Sequence, residues 1–250
     1  MIHSFLLAGQ SNMAGRGIIG QVPPISDERL LVLRNGRWQP MYQPVNGDRP
    51  FSGVCLAESF ALRYAQEHGV QVGLIPCADG GASLLQWREG GLLFDHALYQ
   101  ARLANRTSTV AGILWHQGEA ECAPENYPLA EARLRALIAA FRREPCLAEA
   151  PFILGGLGDF LPLRKETPNL RNAPRVNATL QAVADGAQRI GFVSAQGLSS
   201  NPDLLHFNAP SLREFGLRYY AVFRRLEDKG RVFLEKSAPD DAVRTEMELL

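Results

Sequence analysis

The 250 residues predict an α/β protein built on a doubly wound parallel sheet, and three observations carry that expectation. Short fully apolar runs recur along the chain, amphipathic stretches separate them, and no Cys/His cluster or long disulfide framework competes with an ordinary buried core. Apolar residues make up 46% of the chain and charged ones 21%, the balance of a globular domain large enough to bury one core. A single domain is expected over 1–229, followed by an extension over 230–250.

About five strands are expected. Ile2 to Leu7, Val70 to Cys77, Val110 to Trp115, Phe152 to Leu157 and Arg189 to Ser194 lack the alternation of a half-exposed strand and read as buried on both faces. Between them, Leu56, Phe60 and Tyr64 share one helical face. Leu134, Leu137, Ile138 and Phe141 share a second, and Leu212, Phe215, Tyr219, Val222 and Leu226 a third. Parallel strands need covering crossovers, so helices are expected on both faces. Leu31 to Trp38 places Asn35-Gly36 between two strand-like arms, a hairpin signal, within a Pro- and Gly-rich insertion from Gly15 to Gly53. Asp159 to Pro174, with three prolines, reads as irregular. Val232-Phe233-Leu234 opens the tail as an added strand or a subunit contact.

Charge narrows the partners. Lys and Arg total 26, as do Asp and Glu, so no basic surface for nucleic acid is expected. No apolar run approaches a membrane span, and the N-terminus lacks the basic leader of a signal peptide, which predicts a cytoplasmic protein. Cys55, Cys77, Cys122 and Cys146 read as reduced thiols. His3, His68 and His96 share no metal-ligand spacing, and no metal or cofactor is expected.

In an open parallel sheet, ligands gather at the carboxyl ends of the strands, and chemistry-bearing residues sit there. Gly9-Gln10-Ser11-Asn12-Met13-Ala14-Gly15 follows the first strand, and Asp79-Gly80-Gly81-Ala82-Ser83 the second, with Trp87 beyond. His116-Gln117-Gly118-Glu119 follows the third, and Asp203-Leu204-Leu205-His206 lies past the fifth. A serine hydroxyl needs a base and donors for a developing oxyanion. Ser11, on a strand-to-helix turn, is the expected nucleophile, His206 the base, and Asp203 the group that orients it. His116 is a rival base, read instead as a pocket wall or a satisfied core histidine.

These segments, with Leu84, Trp115 and Phe207 included, resemble the four sequence blocks of the SGNH (GDSL-like) hydrolases, in the sialate O-acetylesterase and acetylxylan-esterase branch. The resemblance spans roughly Ile2 to Tyr220. It implies a three-layer α/β/α fold of flavodoxin-like type and a metal-free Ser11-His206-Asp203 mechanism that deacetylates carbohydrates. It also implies an oxyanion hole from the N–H groups of Ser11 and a glycine, with the Gln117 amide as a third donor. Gly81 is favoured over Gly80 as that glycine. Gln117 replaces the superfamily's usual Asn, as this branch does, and Ala82 stands where the branch often has Thr. Gln10, Asn12 and Gly80 are expected to bind substrate or support the site, and Glu119 to brace loops or touch substrate.

Other features have plainer readings. Trp87 and Trp115 suit the core, whereas Trp38 and Tyr42 are open between packing and stacking on a sugar. Asp27 with Glu28, and Asp240 with Asp241, read as solvated pairs rather than glycosidase carboxylates. Two rival functions share these residues: a same-fold esterase or thioesterase for a non-carbohydrate ester, and a silent carbohydrate-binding protein. The expected partner is an O-acetylated carbohydrate or another small ester.

Overall fold

Each apolar run in the sequence becomes a strand because a backbone buried on both sides must pair its N–H and C=O groups within a sheet. A computed structural model describes residues 1–227 and 233–236. The strands are β1 (Ile2–Gly9), β2 (Leu30–Arg34), β3 (Arg37–Pro40), β4 (Gln71–Pro76), β5 (Thr109–His116), β6 (Phe152–Gly155) and β7 (Ile190–Val193). The helices are α1 (Ser11–Ala14), α2 (Ala57–His68), α3 (Leu92–Ala104), α4 (Ala130–Arg142), α5 (Ala173–Ala184) and α6 (Ala209–Leu226). One sheet runs β3-β2-β4-β1-β5-β6-β7. All pairings are parallel except β2 with β3.

The sheet has seven strands rather than about five. The predicted hairpin forms, with Asn35 and Gly36 both at positive φ in its turn, as a tight hairpin turn requires. Its first arm then docks parallel on β4, Leu30 opposite Val72 and Val32 opposite Leu74. Without the hairpin the order is β4-β1-β5-β6-β7, the flavodoxin-like arrangement, whose chain reverses direction across the sheet beside β1. Crevices open at such a reversal, and β1 ends in the Ser11 segment.

Aromatic packing fixes both outer layers. On one face Phe5 meets the rings of Phe60 and Tyr64 from α2, each at 4.8 Å, and Phe223 from α6 at 5.4 Å. On the other, Phe141 of α4 lies 4.9 Å from Phe94 of α3 and 6.1 Å from Phe152 of β6. Trp115 completes this layer with Trp87 at 5.3 Å, so both tryptophans are buried in the core. Trp38 packs over Gly73 and donates to Thr107 Oγ1 at 3.0 Å, which fixes it as a packing residue.

Two helices lie beyond the three periodic patterns. α3 buries Phe94, Ala97, Ala101 and Ala104, a face made mostly of small side chains. α5 starts within the proline-rich stretch and carries Pro174 in its first turn, where a missing N–H has no helical partner to lose. Leu161–Leu163 and Pro168–Asn172 form short 3₁₀ turns. In the tail, Phe233 stacks on His3 at 3.8 Å. Residues 233–236 are not strand; Val232, Asp240 and Asp241 lie outside the described residues. Among the described residues no helix is long and apolar enough to cross a membrane. The four cysteines are free thiols, and burial pushes those of Cys122 and Cys146 up to about 12 and about 11.

Candidate active site

Ser11 owes its position to the way β1 ends. Gly9 has φ +128°, and a methyl group there would stand 2.1 Å from His116 O, so only glycine lets β1 and β5 close this tightly at their ends. Gln10 N donates to His116 O at 2.9 Å, and the chain turns at once into α1. Ser11 is 7% exposed, and its backbone N–H, at the start of that turn, has no acceptor among the described residues.

The Asp203–His206 loop is built by local hydrogen bonds. Leu204 takes a left-handed φ of +51°, which curls the chain so that Asp203 Oδ1 accepts from Leu205 N and His206 N, both at 3.0 Å. His206 Nδ1 donates to Asp203 Oδ2 at 2.6 Å, and His206 Nε2 lies 3.0 Å from Ser11 Oγ. A proton held on Nδ1 by the carboxylate leaves the Nε2 lone pair facing the serine hydroxyl. Burial pushes the Asp203 carboxyl up, but N–H donation from His206, Leu205 and the imidazole outweighs it and holds the group below its usual range. Arg164 Nη1 donates to Asp203 O from the far side.

Asn12 clamps this loop to the end of β1. Its Oδ1 accepts from Phe207 N at 3.1 Å, and its Nδ2 donates to Leu205 O at 3.2 Å and Glu119 Oε1 at 2.5 Å. The residues on both sides of His206 are therefore tied to the residue after Ser11. Glu119 braces the loops through Oε1, while its Oε2 is buried without a partner and the residue lines the cleft. Gln10 also lines the cleft, with a buried, unpaired Oε1.

The second block distinguishes its two glycines. Gly80 N donates to Asp48 Oδ2 at 2.8 Å. Gly81, at φ +83°, lines the cleft, and its N–H has no acceptor among the described residues. Asp48 is paired bidentately with Arg16, Nη1 to Oδ1 at 3.0 Å and Nη2 to Oδ2 at 2.6 Å, and accepts from Ser52 Oγ at 2.8 Å. Burial pushes the Asp48 carboxyl up, and Arg16, Ser52 and Gly80 together bring it below its usual range. Arg49 pairs with Asp79 at 3.1 Å and donates to Gly80 O at 2.9 Å. Sequence reasoning missed Arg16, Asp48 and Arg49. The only available signal was the position of the insertion near the strand ends, because residues 32 apart carry no readable spacing.

Gln117 is not brought to the cleft as a donor. Its Nε2 donates to Ala82 O at 2.8 Å and to Glu121 Oε2 at 2.5 Å, which consumes both amide hydrogens. Gln117 is 1% exposed and joins the second block to the third. His116 is a core histidine, fully buried, with Nε2 donating to Gly156 O at 3.1 Å and its ring against Phe207 and Phe215. Desolvation lowers its pKa. Asp27 forms a local ion pair with Arg29 at 2.6 Å, whose hydrogen bonds bring its pKa down to about 2.

The resulting cleft has a volume of about 360 Å³ and exposes Ser11, His206, Gly81, Glu119 and Gln10, with Phe51, Leu170 and Leu205 among its walls. Chemically it offers a hydroxyl and an oriented base, and two of its lining residues, Ser11 and Gly81, carry backbone N–H groups with no acceptor among the described residues.

Comparison with known proteins agrees with this architecture. The profile of the family described as carbohydrate esterase, sialic acid-specific acetylesterase matches residues 1–225. A probable carbohydrate esterase of Arabidopsis thaliana is 27% identical over 139 residues, 47% of this chain and 54% of that protein. The chain thus aligns with about half the length of that curated relative. The X-ray structure of an Arabidopsis thaliana protein superposes with a TM-score of 0.79 at 21% identity, over 90% of this chain and 99% of that one. NanS gives 0.69 at 17% identity over 90% and 97%. A carbohydrate acetylesterase from Xanthomonas citri gives 0.63 at 18% identity over 90% and 56%. At these identities the structural likeness is one of fold.

Proposed function

The chain belongs to the carbohydrate esterase, sialic acid-specific acetylesterase family, and on that premise we propose that it is a serine esterase removing O-acetyl groups from a carbohydrate of sialate or xylan type. One observation carries the reading: Ser11 Oγ, His206 and Asp203 form an unbroken hydrogen-bonded line, 3.0 Å and 2.6 Å, opening into the cleft.

In the proposed reaction Ser11 Oγ bonds to the acetyl carbonyl carbon as His206 Nε2 takes the hydroxyl proton. Asp203, ionised because three N–H groups favour its charged form, stabilises the imidazolium without accepting its proton. The carbonyl oxygen, now an oxyanion, is held by the N–H groups of Ser11 and Gly81, which have no other acceptor to abandon. The bond between the acetyl carbon and the sugar oxygen breaks as His206 Nε2 gives its proton to that oxygen, and the sugar leaves with a free hydroxyl. Water then attacks the acetyl-enzyme, giving its proton to His206. The bond between the acetyl carbon and Ser11 Oγ then breaks, His206 returns that proton to Oγ, and acetate leaves. The Gln117 amide takes no part in this scheme, because withdrawing it would leave Ala82 O and Glu121 Oε2 without this donor.

The test is acetate release from a panel of O-acetylated sialosides and xylo-oligosaccharides, alongside p-nitrophenyl esters of increasing acyl length. Acetyl esters are expected to be the best substrates, and Ser11→Ala is expected to lose roughly a thousandfold or more in turnover. Near-normal hydrolysis by that variant ends the proposal.

A further inference from the structure

We propose that a second cavity beside the cleft is a carbohydrate subsite, which holds a sugar unit joined to the acetylated one; the inference rests on the esterase reading above. The cavity measures about 570 Å³, and it exists because of the hairpin. β2 runs parallel to β4, so the turn at Asn35 emerges at the same edge of the sheet as Ser11. There it faces the first turns of α3, across the end of β4.

The lining chemistry is that of a sugar site. Tyr42 is 51% exposed, and its ring is backed by the Arg34 guanidinium at 4.5 Å. Arg34 is itself fixed by donation to Pro44 O at 2.6 Å and Val45 O at 2.9 Å, so the aromatic face is held in place before any ligand arrives. Asn35, Asp79, His96 and Gln100 line the same cavity. A pyranose presents an apolar C–H face and a rim of hydroxyls, which match one fixed ring and several planar donors and acceptors.

Continuity with the cleft assigns the occupant. Asp79 lines the second cavity, and the next residue, Gly80, lines the cleft. A methyl on Gly80 would lie 3.6 Å from Ser11 Cβ. The ridge between the two spaces is formed by two neighbouring segments, Asp79-Gly80 and Asp48-Arg49, tied by Gly80 N donating to Asp48 Oδ2 at 2.8 Å and by Arg49 on Asp79 and Gly80 O. A glycan crossing it would place one unit at Ser11 and its neighbour on Tyr42.

The experiment measures steady-state kinetics on matched pairs: O-acetylated sialyllactose against O-acetylated sialic acid, and O-acetylated xylotetraose against O-acetylated methyl xyloside, with p-nitrophenyl acetate as reference. In the wild type the longer member of one pair is expected to have the lower KM. Tyr42→Ala is expected to raise the ratio of that KM to the p-nitrophenyl acetate KM about tenfold, the loss of one anchoring contact, with kcat in the same proportion as before. His96→Ala is expected to shift the ratio in the same direction. Equal KM values within both wild-type pairs, or a Tyr42→Ala change shared equally by all substrates, would overturn the subsite. Failure of the wild type to hydrolyse p-nitrophenyl acetate would instead overturn the esterase reading. In that event, NMR titration of the Ser11→Ala protein with both oligosaccharides still decides the subsite: shifts lost in the Tyr42→Ala double variant support it, and no shifts refute it.

Discussion

Replacing Asp203 with Asn changes one atom and forces a choice on the loop. Asp203 Oδ1 accepts two backbone N–H groups at 3.0 Å, and Oδ2 accepts His206 Nδ1 at 2.6 Å. The asparagine oxygen can keep only one of these positions. If it keeps the two backbone bonds, its NH2 faces Nδ1, and the imidazole must move its proton to Nε2. That proton then points at Ser11 Oγ, 3.0 Å away, and the base is lost. If the amide turns over, two backbone N–H groups face an NH2, at about 1 kcal/mol each. The first arrangement is the cheaper, so the variant folds with the wrong tautomer. The same exchange in a Ser-His-Asp protease costs about 10⁴-fold in kcat, roughly 5.5 kcal/mol in the barrier, and a similar loss is expected here. The assay is p-nitrophenyl acetate turnover near neutral pH, with a urea midpoint to show that the variant is folded. A folded Asp203→Asn protein within tenfold of wild-type kcat would refute the tautomer argument.

Gln117→Ala is expected to lose stability, about 1–3 kcal/mol for each buried group left unpaired, with kcat falling less than about tenfold. A loss of two to three orders of magnitude in kcat at unchanged urea stability would return the amide to the oxyanion hole. Asp48→Ala leaves Arg16 uncompensated at a site where the two side chains are 5% and 4% exposed. A destabilisation of about 3–5 kcal/mol in urea unfolding is expected, and less than about 1 kcal/mol would contradict it. The carboxyls of Asp48, Asp203 and Asp27 are all lowered by folding from an ordinary value of 3.8, Asp27 to about 2. The unfolded chain therefore binds more protons between the two values. The stability these groups contribute is complete above the ordinary value and is lost as pH falls through the lower folded values. The urea midpoint is expected to hold at about pH 5–6 and to drop between about pH 4 and 2, less steeply in Asp48→Ala; a midpoint that rises on acidification would reverse the sign.

Much of the fold was legible because burial leaves a periodic trace. The five apolar runs became β1, β4, β5, β6 and β7 with ends shifted by a residue or two, and the three leucine- and aromatic-rich faces became α2, α4 and α6. α3 was silent because its buried face is largely alanine, which hydrophobic patterning weights weakly. α5 was masked by the prolines at its start. Asn35-Gly36 announced a hairpin, but turn chemistry is local, and nothing within it states that β2 will extend the sheet along β4.

At the site the same division holds. Asp203 and His206 are three residues apart, so the loop that joins them is a local structure, readable in Asp-Leu-Leu-His once a serine is in view. Ser11 was legible because glycines bracket it where a strand gives way to a turn. Gln117 has the residue type of an oxyanion donor, but where its amide hydrogens go could not be read along the chain, because its two acceptors, Ala82 O and Glu121 Oε2, come from different loops. By itself the sequence determined which residues are apolar enough to form the sheet and which polar residues stand at strand ends. Only the tertiary structure decided how those residues spend their hydrogen bonds: Arg16 on Asp48, Asn12 on Glu119, and Gln117 away from the cleft. The reason is physical: burial is a property each residue carries along the chain, whereas a hydrogen bond between distant loops exists only once packing has set their separation to within a few tenths of an ångström.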